Sequence, residues 1–186
     1  MSPEDILIET EEAMEKSVAY MTHEFTGVRT GKASPALVEN IDVEAYGASM
    51  KMKQLALITT PEPRLLVIQP FDASTMRDIE RAIKESKIGI NPAVDGKIIR
   101  LPIPELSEER RKDLVKTIKQ MAEEARVQVR GHRRDGVDSA RKLQKEGTIT
   151  EDALRDLESE IQKLTDTYVK NIDTGVASKE ADIMKI

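Results

Sequence analysis

One long, mostly apolar stripe constrains the fold of this chain more than any other feature of its sequence. From Leu114 to Leu143 its members recur in eight steps over 29 residues, about 3.6 residues per step, which is the period of a nearly straight α-helix. The stripe consists of Leu114, Ile118, Met121, Ala125, Val129, His132, Gly136, Ala140 and Leu143. Ser107 precedes it and Gly147 follows it, as typical helix-start and helix-stop residues. The sequence therefore predicts a helix roughly 50 Å long.

Two further long helices are predicted, one on each side of this one in the chain. The first begins at Ser2 and Pro3 and carries Leu7, Met14, Val18, Met21, Phe25 and Val28 at helical spacing. The last begins near Thr148 and Glu151, which have the spacing of a capping box, and carries Leu154, Leu157, Ile161, Leu164, Tyr168, Ile172 and Gly175. Helices this long with one apolar stripe each favour a three-helix bundle, although the first helix alone could also lie on a sheet.

Residues 30–105 have a different pattern. Short apolar or alternating runs predict strands at Val38–Tyr46, Leu55–Ile58, Leu65–Ile68 and Ile98–Leu101. A single short helix is predicted over Ser74–Ser86. Glycine- and proline-containing turn signals separate these segments. The pattern indicates a small α+β unit.

The predicted fold class is therefore α+β, with a long antiparallel three-helix bundle and an inserted small β/α/β domain. Residues 1–29 and 106–186 form the bundle, and residues 30–105 form the insert. The chain passes between the two near residues 29–31 and again near 102–105. Glycine in one passage and prolines in the other are typical of a hinge, while a rigidly packed junction is the alternative. The hinge residues would be Arg29, Thr30, Gly31, Pro102, Ile103 and Pro104.

Composition excludes several classes of protein. The 186 residues include no cysteine, so a disulfide framework, a thiol nucleophile and a cysteine-ligated metal are excluded. No run approaches the roughly 18 consecutive apolar residues that a membrane-spanning helix needs, and no secretory leader opens the chain. We therefore expect a cytoplasmic protein that does not bind membranes, and we also expect it to be a monomer. Aromatic residues make up only 3%, which argues against recognition through stacked bases.

Charge is distributed unevenly along the chain. Residues 107–145 carry 12 basic and 7 acidic side chains, in a protein whose net charge is −5. At about 100° per residue, one flank of the predicted helix, beside the apolar stripe, collects most of these bases. This basic flank consists of Lys112, Lys116, Lys119, Arg126, Arg130, Arg133, Arg134 and Arg141, interrupted only by Glu108 and Glu123.

The basic flank has two interpretations. Charged helix faces are usually exposed to solvent, and their side chains form salt bridges with one another. Here the bases share one flank and are mainly arginine toward its middle, which favours bidentate contact with phosphate. The pattern therefore predicts polyanion binding that depends on phosphate and shape, and it leaves RNA and DNA both open.

Residues that could carry chemistry of their own are not grouped in the sequence. Thr30–Ser34 resembles the end of a phosphate-binding loop, but Thr26 and Ala33 stand where that loop needs glycine and a hydroxyl residue. His23 and His132 are the only histidines and have no ligand-like spacing, and His132 is expected in the core or between helices. We therefore predict no catalytic residue, no metal and no cofactor.

Several segments together resemble the bacterial ribosome recycling factor family. They are Arg29–Leu37, Gln54–Ala56, Gly89–Pro92, Glu108–Lys112, Val129-Arg130, Arg133–Asp135 and Ile161–Asp166. The resemblance runs from end to end and keeps both spacing and length. It implies a three-helix bundle with an inserted β/α/β domain on a two-stranded hinge.

The resemblance also implies a function. Members of this family bind large-subunit ribosomal RNA and, with elongation factor G and GTP, separate the subunits of post-termination ribosomes. By motif, Arg130 and Arg133 would be the principal RNA contacts, supported by Arg110 and Arg111, which lie outside the basic flank. The predicted contacts also include three further residues of the flank, Lys119, Arg126 and Arg134. A helical scaffold or holdase that grips a protein partner is the alternative.

Three positions depart from the family pattern. Lys32 replaces an arginine that is more usual there, and the segment Gly131-His132 lacks the usual asparagine. Ala48–Met50 lacks the proline expected after Tyr46-Gly47. The resemblance therefore predicts local differences in these segments and leaves the main assignment unchanged.

Overall fold

The computed structural model describes residues 1–185, which divide into two compact units. One unit, the bundle, contains Met1–Val28 and the chain from Arg111 onward. The other, the sheet domain, contains Arg29–Arg110. The first boundary, at 28/29, lies beside the passage predicted at 29–31, whereas the second, at 110/111, lies in the first turn of the last-but-one helix, beyond the passage predicted at 102–105.

Three long helices make up the bundle: α1 (Pro3–Thr26), α4 (Glu108–Lys145) and α5 (Glu151–Met184). α1 starts with a capping box, in which Ser2 Oγ accepts from the Asp5 amide at 3.1 Å and Asp5 Oδ2 accepts from the Ser2 amide at 2.8 Å. The start and end of the long central helix are confirmed. Ser107 Oγ accepts from the Arg110 amide at its start, and Gly147 follows its end with a φ of +75°.

The buried clusters of the bundle define the directions of its helices. In one cluster, Ile6 near the start of α1 packs with Ala140 and Leu143 near the end of α4, and with Leu157 and Ile161 near the start of α5. A second cluster includes Met14, Met21, Phe25, Ile118, Ala122, Ala125, Val129, Ile172 and Ile183. α4 therefore runs antiparallel to the other two helices, as predicted.

The buried surface of the bundle includes small polar residues in addition to the apolar stripes. Thr10 and Ser17 of α1 are buried, as is Thr165 of α5, whose hydroxyl donates to the Ile161 carbonyl at 2.9 Å. Ile6, and not the predicted Leu7, is the fully buried residue of the first turns. The stripe of α1 is therefore rotated by one residue near its start.

The sheet domain combines a hairpin, a four-stranded sheet and two short helices. β1 (Asp42–Ala45) pairs with β2 (Ala48–Lys51), and α2 (Met52–Leu55) follows directly. The other strands form an antiparallel sheet in the order β3-β4-β6-β5. They are β3 (Ala56–Glu62), β4 (Leu65–Pro70), β5 (Ala93–Asp95) and β6 (Ile98–Pro102), with α3 (Met76–Glu85) between β4 and β5.

A separate hydrophobic core lies between α3 and the sheet. Ile79 and Ile83 of α3 are buried with residues of the two central strands, including Ile68 and Ile99, which are opposite each other in the β4–β6 register. Because α3 covers one face of an antiparallel sheet, the predicted α+β class with an inserted β/α/β domain is confirmed.

Four details of the sheet domain differ from the sequence prediction. α2 (Met52–Leu55) is an additional helix, and it includes Leu55, which was predicted to begin a strand. β1 begins at Asp42, because Ser34 and Pro35 initiate a 3₁₀ turn over Pro35–Leu37 and delay the strand. β2 and β5 are additional strands. β2 follows a tight turn in which Tyr46 and Gly47 have φ of 54° and 75°, the pair of left-handed residues typical of a type I′ hairpin.

Candidate nucleic-acid interface

The position of the apolar stripe in α4 determines where the basic flank lies. Ile118, Ala125, Val129, Gly136 and Ala140 are buried against the other two helices. Since successive helical residues are about 100° apart, the side chains on the adjacent flank remain at the edge of the bundle. The structure therefore brings the predicted basic flank together on one side of α4.

Three members of the basic flank form ion pairs with acidic residues of α5. Lys119 Nζ lies 3.7 Å from Glu180 Oε1, Arg126 Nη2 lies 2.7 Å from Asp173 Oδ1, and Arg141 Nε lies 3.0 Å from Glu158 Oε1. The sequence analysis did not identify these partners. The excess of acidic residues after position 146 is the signal that could have indicated them.

Arg126 is the most tightly held of these bases. Its Nε and Nη2 both donate to Asp173 Oδ1, at 3.0 and 2.7 Å, and its Nη1 donates to Glu123 Oε2 at 3.2 Å. Only 22% of its side chain is exposed. The hydrogen bond with Asp173 is the main reason why the pKa of Arg126 is raised above its usual value. Arg126 therefore joins α4 to α5, and little of its guanidinium is left for phosphate.

The next three arginines along the flank have guanidinium groups that are less engaged by carboxylates than that of Arg126. Arg130 is 52% exposed and makes one long contact, from Nη1 to Glu123 Oε1 at 3.5 Å. Arg133 is half-buried and Arg134 is exposed. Within residues 1–185, neither of these two forms an ion pair. The middle of α4 thus presents three closely spaced guanidinium groups at the bundle surface.

Arg110 and Arg111 lie apart from this group, in the first turn of α4. At 1.5 Å per residue, Arg111 is roughly 30 Å along the helix from Arg130. Arg110 is exposed. Arg111 is half-buried, and its Nε is buried without a hydrogen-bond partner among the described residues. The structure therefore does not bring this pair together with the central arginines.

The first segment proposed as a hinge contains one constrained backbone position. Gly31 has a φ of +80°, a conformation that side chains other than glycine rarely adopt. Thr30 is half-buried beside it. Nε and Nη2 of Arg29 are buried and have no hydrogen-bond partner within residues 1–185.

The second segment begins inside the sheet domain. Pro102 is the last residue of β6 and is opposite Leu65 in the register, while Ile103 is buried and donates its amide to the Arg64 carbonyl at 2.7 Å. Pro104 is exposed. Residues up to Ile103 are therefore held by backbone hydrogen bonds of the sheet. Beyond Pro104 the contacts are made by side chains, because Glu105 Oε1 lies 2.8 Å from Arg64 Nη2 and Leu106 is buried.

His132, which was predicted in the core or between helices, lies between α1 and α4. His132 Nε2 lies 3.0 Å from Ser17 Oγ, so the predicted interhelical role of His132 is confirmed. Across residues 1–185, no three His, Asp or Glu residues are grouped as they would be to hold a metal ion. The helices over the same residues include none that is both long and apolar enough to cross a membrane.

Comparison with known proteins identifies the family. The family model described as "Ribosome recycling factor" matches residues 21–184. The chain belongs to the ribosome recycling factor family. A ribosome-recycling factor from Akkermansia muciniphila is 63% identical, and the alignment covers 100% of both chains. One from Rubrobacter xylanophilus is 51% identical over 97% of each chain.

Solved structures of family members have the same fold. The solution structure of a ribosome recycling factor is 41% identical, with a TM-score of 0.81, and the match covers 100% of this chain and 99% of the other. A second match, with 42% identity and a TM-score of 0.69, covers 99% of this chain and 100% of the other. It is the T. thermophilus ribosome recycling factor in models that place it, with E. coli elongation factor G, on the E. coli post-termination complex.

Proposed function

We propose that this protein is a translation factor that acts with elongation factor G and GTP to separate post-termination ribosomes into subunits for reuse. The observation that carries this proposal is the full-length similarity to ribosome recycling factors, one of which is placed with elongation factor G on a post-termination complex. The GTPase activity would belong to the partner. The protein itself would act in the cytoplasm as a monomer, without a cofactor and without catalysing a reaction.

In this proposal, the bundle binds large-subunit ribosomal RNA through the basic flank. Arg130, Arg133 and Arg134 would make the main phosphate contacts, because their guanidinium groups are the least engaged by carboxylates. Lys119 would contribute as a weakly held cation, and Arg126 would chiefly hold α4 against α5. Arg110 and Arg111 would form a second contact near the start of α4, a role that rests on the family resemblance.

Light scattering of purified post-termination ribosomes tests the function directly. We expect scattering to fall only when this protein, elongation factor G and GTP are all present, because subunits scatter less light than the intact ribosome. Omission of each component in turn is the control. A fall in scattering without this protein, or none with all three components, would contradict the proposed function.

Substitution of Arg133 tests the proposed RNA contact. Arg133→Ala should weaken binding to large subunits by about 1.5–3 kcal/mol, the range for hydrogen bonds to charged groups. Sedimentation of each variant with large subunits measures the loss. Arg155→Ala is the matched control, since Arg155 is an exposed arginine on α5 of the same bundle. Equal losses for the two variants would argue against a specific role for Arg133.

Salt dependence separates this function from a scaffold or holdase that binds a protein partner. Binding through phosphates should weaken steeply as salt rises, with log K falling by about 0.7–0.9 per unit of log salt for each phosphate neutralised. Binding through apolar area would change little. A flat salt titration with large subunits would therefore favour the scaffold.

A further inference from the structure

Glu123 lies within the basic flank that is proposed to bind RNA. Its two carboxylate oxygens contact two neighbouring guanidinium groups: Oε2 is 3.2 Å from Arg126 Nη1, and Oε1 is 3.5 Å from Arg130 Nη1. The carboxylate is 56% exposed, so it remains at the surface of the flank. One acidic side chain thus lies between two consecutive arginines of the flank and contacts both guanidinium groups.

Stability of the bundle does not account for this placement. Asp173 binds Arg126 through both Nε and Nη2, at 3.0 and 2.7 Å, so the link between α4 and α5 does not need Glu123. Exposed ion pairs contribute little to folding stability. The longer contact with Arg130 joins two side chains that are both more than half exposed. The main consequence of Glu123 is therefore electrostatic and concerns what can approach Arg130.

We propose that Glu123 is a specificity-determining residue that competes with phosphate for Arg130 and keeps the basic flank from binding RNA indiscriminately. Carboxylate and phosphate both accept paired hydrogen bonds from a guanidinium, so a phosphate reaching Arg130 must displace Glu123 or lie beside its negative charge. An arbitrary duplex makes few other contacts to offset this cost. This inference rests on the proposed RNA-binding function.

Binding of the full-length protein to a short RNA duplex of arbitrary sequence tests the role of Glu123. The variant Glu123→Gln keeps the length of the side chain and removes its charge. We expect it to bind the duplex roughly two- to five-fold more tightly than the unsubstituted protein at low salt, with the gain shrinking as salt rises. Fluorescence anisotropy of the labelled duplex measures both constants.

Glu124→Gln is the matched control. It removes the same charge from the adjacent exposed residue, about 100° around the helix and away from the basic flank. We expect it to change the affinity much less than Glu123→Gln does. Equal gains from the two variants would show a general effect of net charge and would overturn the inference. Failure of both the unsubstituted protein and Glu123→Gln to bind the duplex would also overturn it.

Combination with Arg130→Ala tests the route through which Glu123 acts. If Glu123 competes for Arg130, the gain from Glu123→Gln should largely disappear when Arg130 is already alanine. A gain that persists in the double variant would overturn the inference. Binding of the unsubstituted protein to large subunits is measured separately by sedimentation. Absence of that binding would count against the proposed function and would leave the comparison of duplex affinities unaffected. Thermal unfolding confirms that each variant is folded.

Discussion

Two glycines in the middle of α4, Gly131 and Gly136, lie in opposite environments, although the helix continues through both. A Cβ built on Gly136 would lie 2.6 Å from Thr10 Oγ1 and 3.4 Å from Ile161 Cδ1. A Cβ on Gly131 would meet nothing within 4 Å. Glycine at position 136 therefore allows α1 and α5 to approach α4 closely, whereas glycine at position 131 has no packing function.

Alanine substitution of these glycines should change stability in opposite directions. Gly131→Ala should stabilise the protein by up to about 1 kcal/mol, because alanine loses less backbone entropy in a helix. Gly136→Ala should destabilise it by about 1–3 kcal/mol, because Thr10 must move within a packed interface. Urea unfolding of the two variants measures both changes. An unchanged stability of the Gly136→Ala variant would show that Thr10 can move away from position 136 at little cost.

Sequence reasoning predicted which flank of α4 is basic, but it could not predict which of these bases form ion pairs with α5. The flank follows from helical periodicity, which does not distinguish Arg126 from Arg133, and only the family resemblance named Arg133 as a principal contact. Whether a base is paired depends on the register of α5, which places Asp173 against Arg126. That register is set by packing among residues distant in sequence, which no local pattern encodes.

At the scale of whole elements, the turn between α4 and α5 shows how local chemistry fixes a boundary. α4 ends in a Schellman motif, in which Thr148 donates its amide to the Leu143 carbonyl at 2.9 Å and Gly147 donates to that of Gln144 at 3.0 Å. Thr148 is therefore part of the stop of α4. The predicted capping box of Thr148 with Glu151 was wrong, because Thr150 is the N-cap of α5 and its Oγ1 accepts from the Ala153 amide at 3.1 Å.

Removal of this cap should weaken the start of α5. Thr150→Ala should lower the free energy of unfolding by about 1 kcal/mol, the usual cost of losing an N-cap hydrogen bond. Thr148→Ala is the control, since its motif uses only the backbone amide. Chemical denaturation compares the two variants. Equal destabilisation would mean that the Thr150 hydroxyl does not cap α5.

The strands that the sequence did not predict share a physical cause. β2 (Ala48–Lys51) and β5 (Ala93–Asp95) bury little, so they have no alternating apolar pattern to detect. Each is positioned instead by a turn with glycine at positive φ, at Gly47 and Gly96 respectively. The core-forming strands β4 and β6 were predicted, because hydrophobic burial determines their composition.

For the whole molecule, the division into a bundle and a sheet domain follows from the change in sequence period at each boundary. Apolar residues at helical spacing end near Val28, short apolar runs typical of strands follow, and the helical stripe of α4 begins after Ser107. The sequence period does not show which residues of the two connecting segments are held in place. In the second segment, strand pairing of β6 extends to Pro102, and a backbone hydrogen bond also holds Ile103.

A test of hinge function must respect the backbone at these segments. Gly31→Pro is unsuitable for stiffening the first segment, because Gly31 has a φ of +80° and proline is locked near −65°. That variant would distort the chain. Pro104 is the better target, because it is exposed and directly follows Ile103, whose amide donates a backbone hydrogen bond to Arg64 of the sheet domain.

Pro104→Gly should uncouple the two activities that the proposed function requires. Binding to large subunits should change little, since the basic flank is untouched, while subunit separation with elongation factor G and GTP should slow because a looser connection transmits less force between domains. Pro61→Gly is the control, as an exposed proline within β3 whose replacement carries a similar cost of about 0.4–1 kcal/mol through the unfolded chain. Sedimentation and light scattering measure the two activities. Equal loss of both in Pro104→Gly would indicate that this segment serves docking and does not act as a hinge.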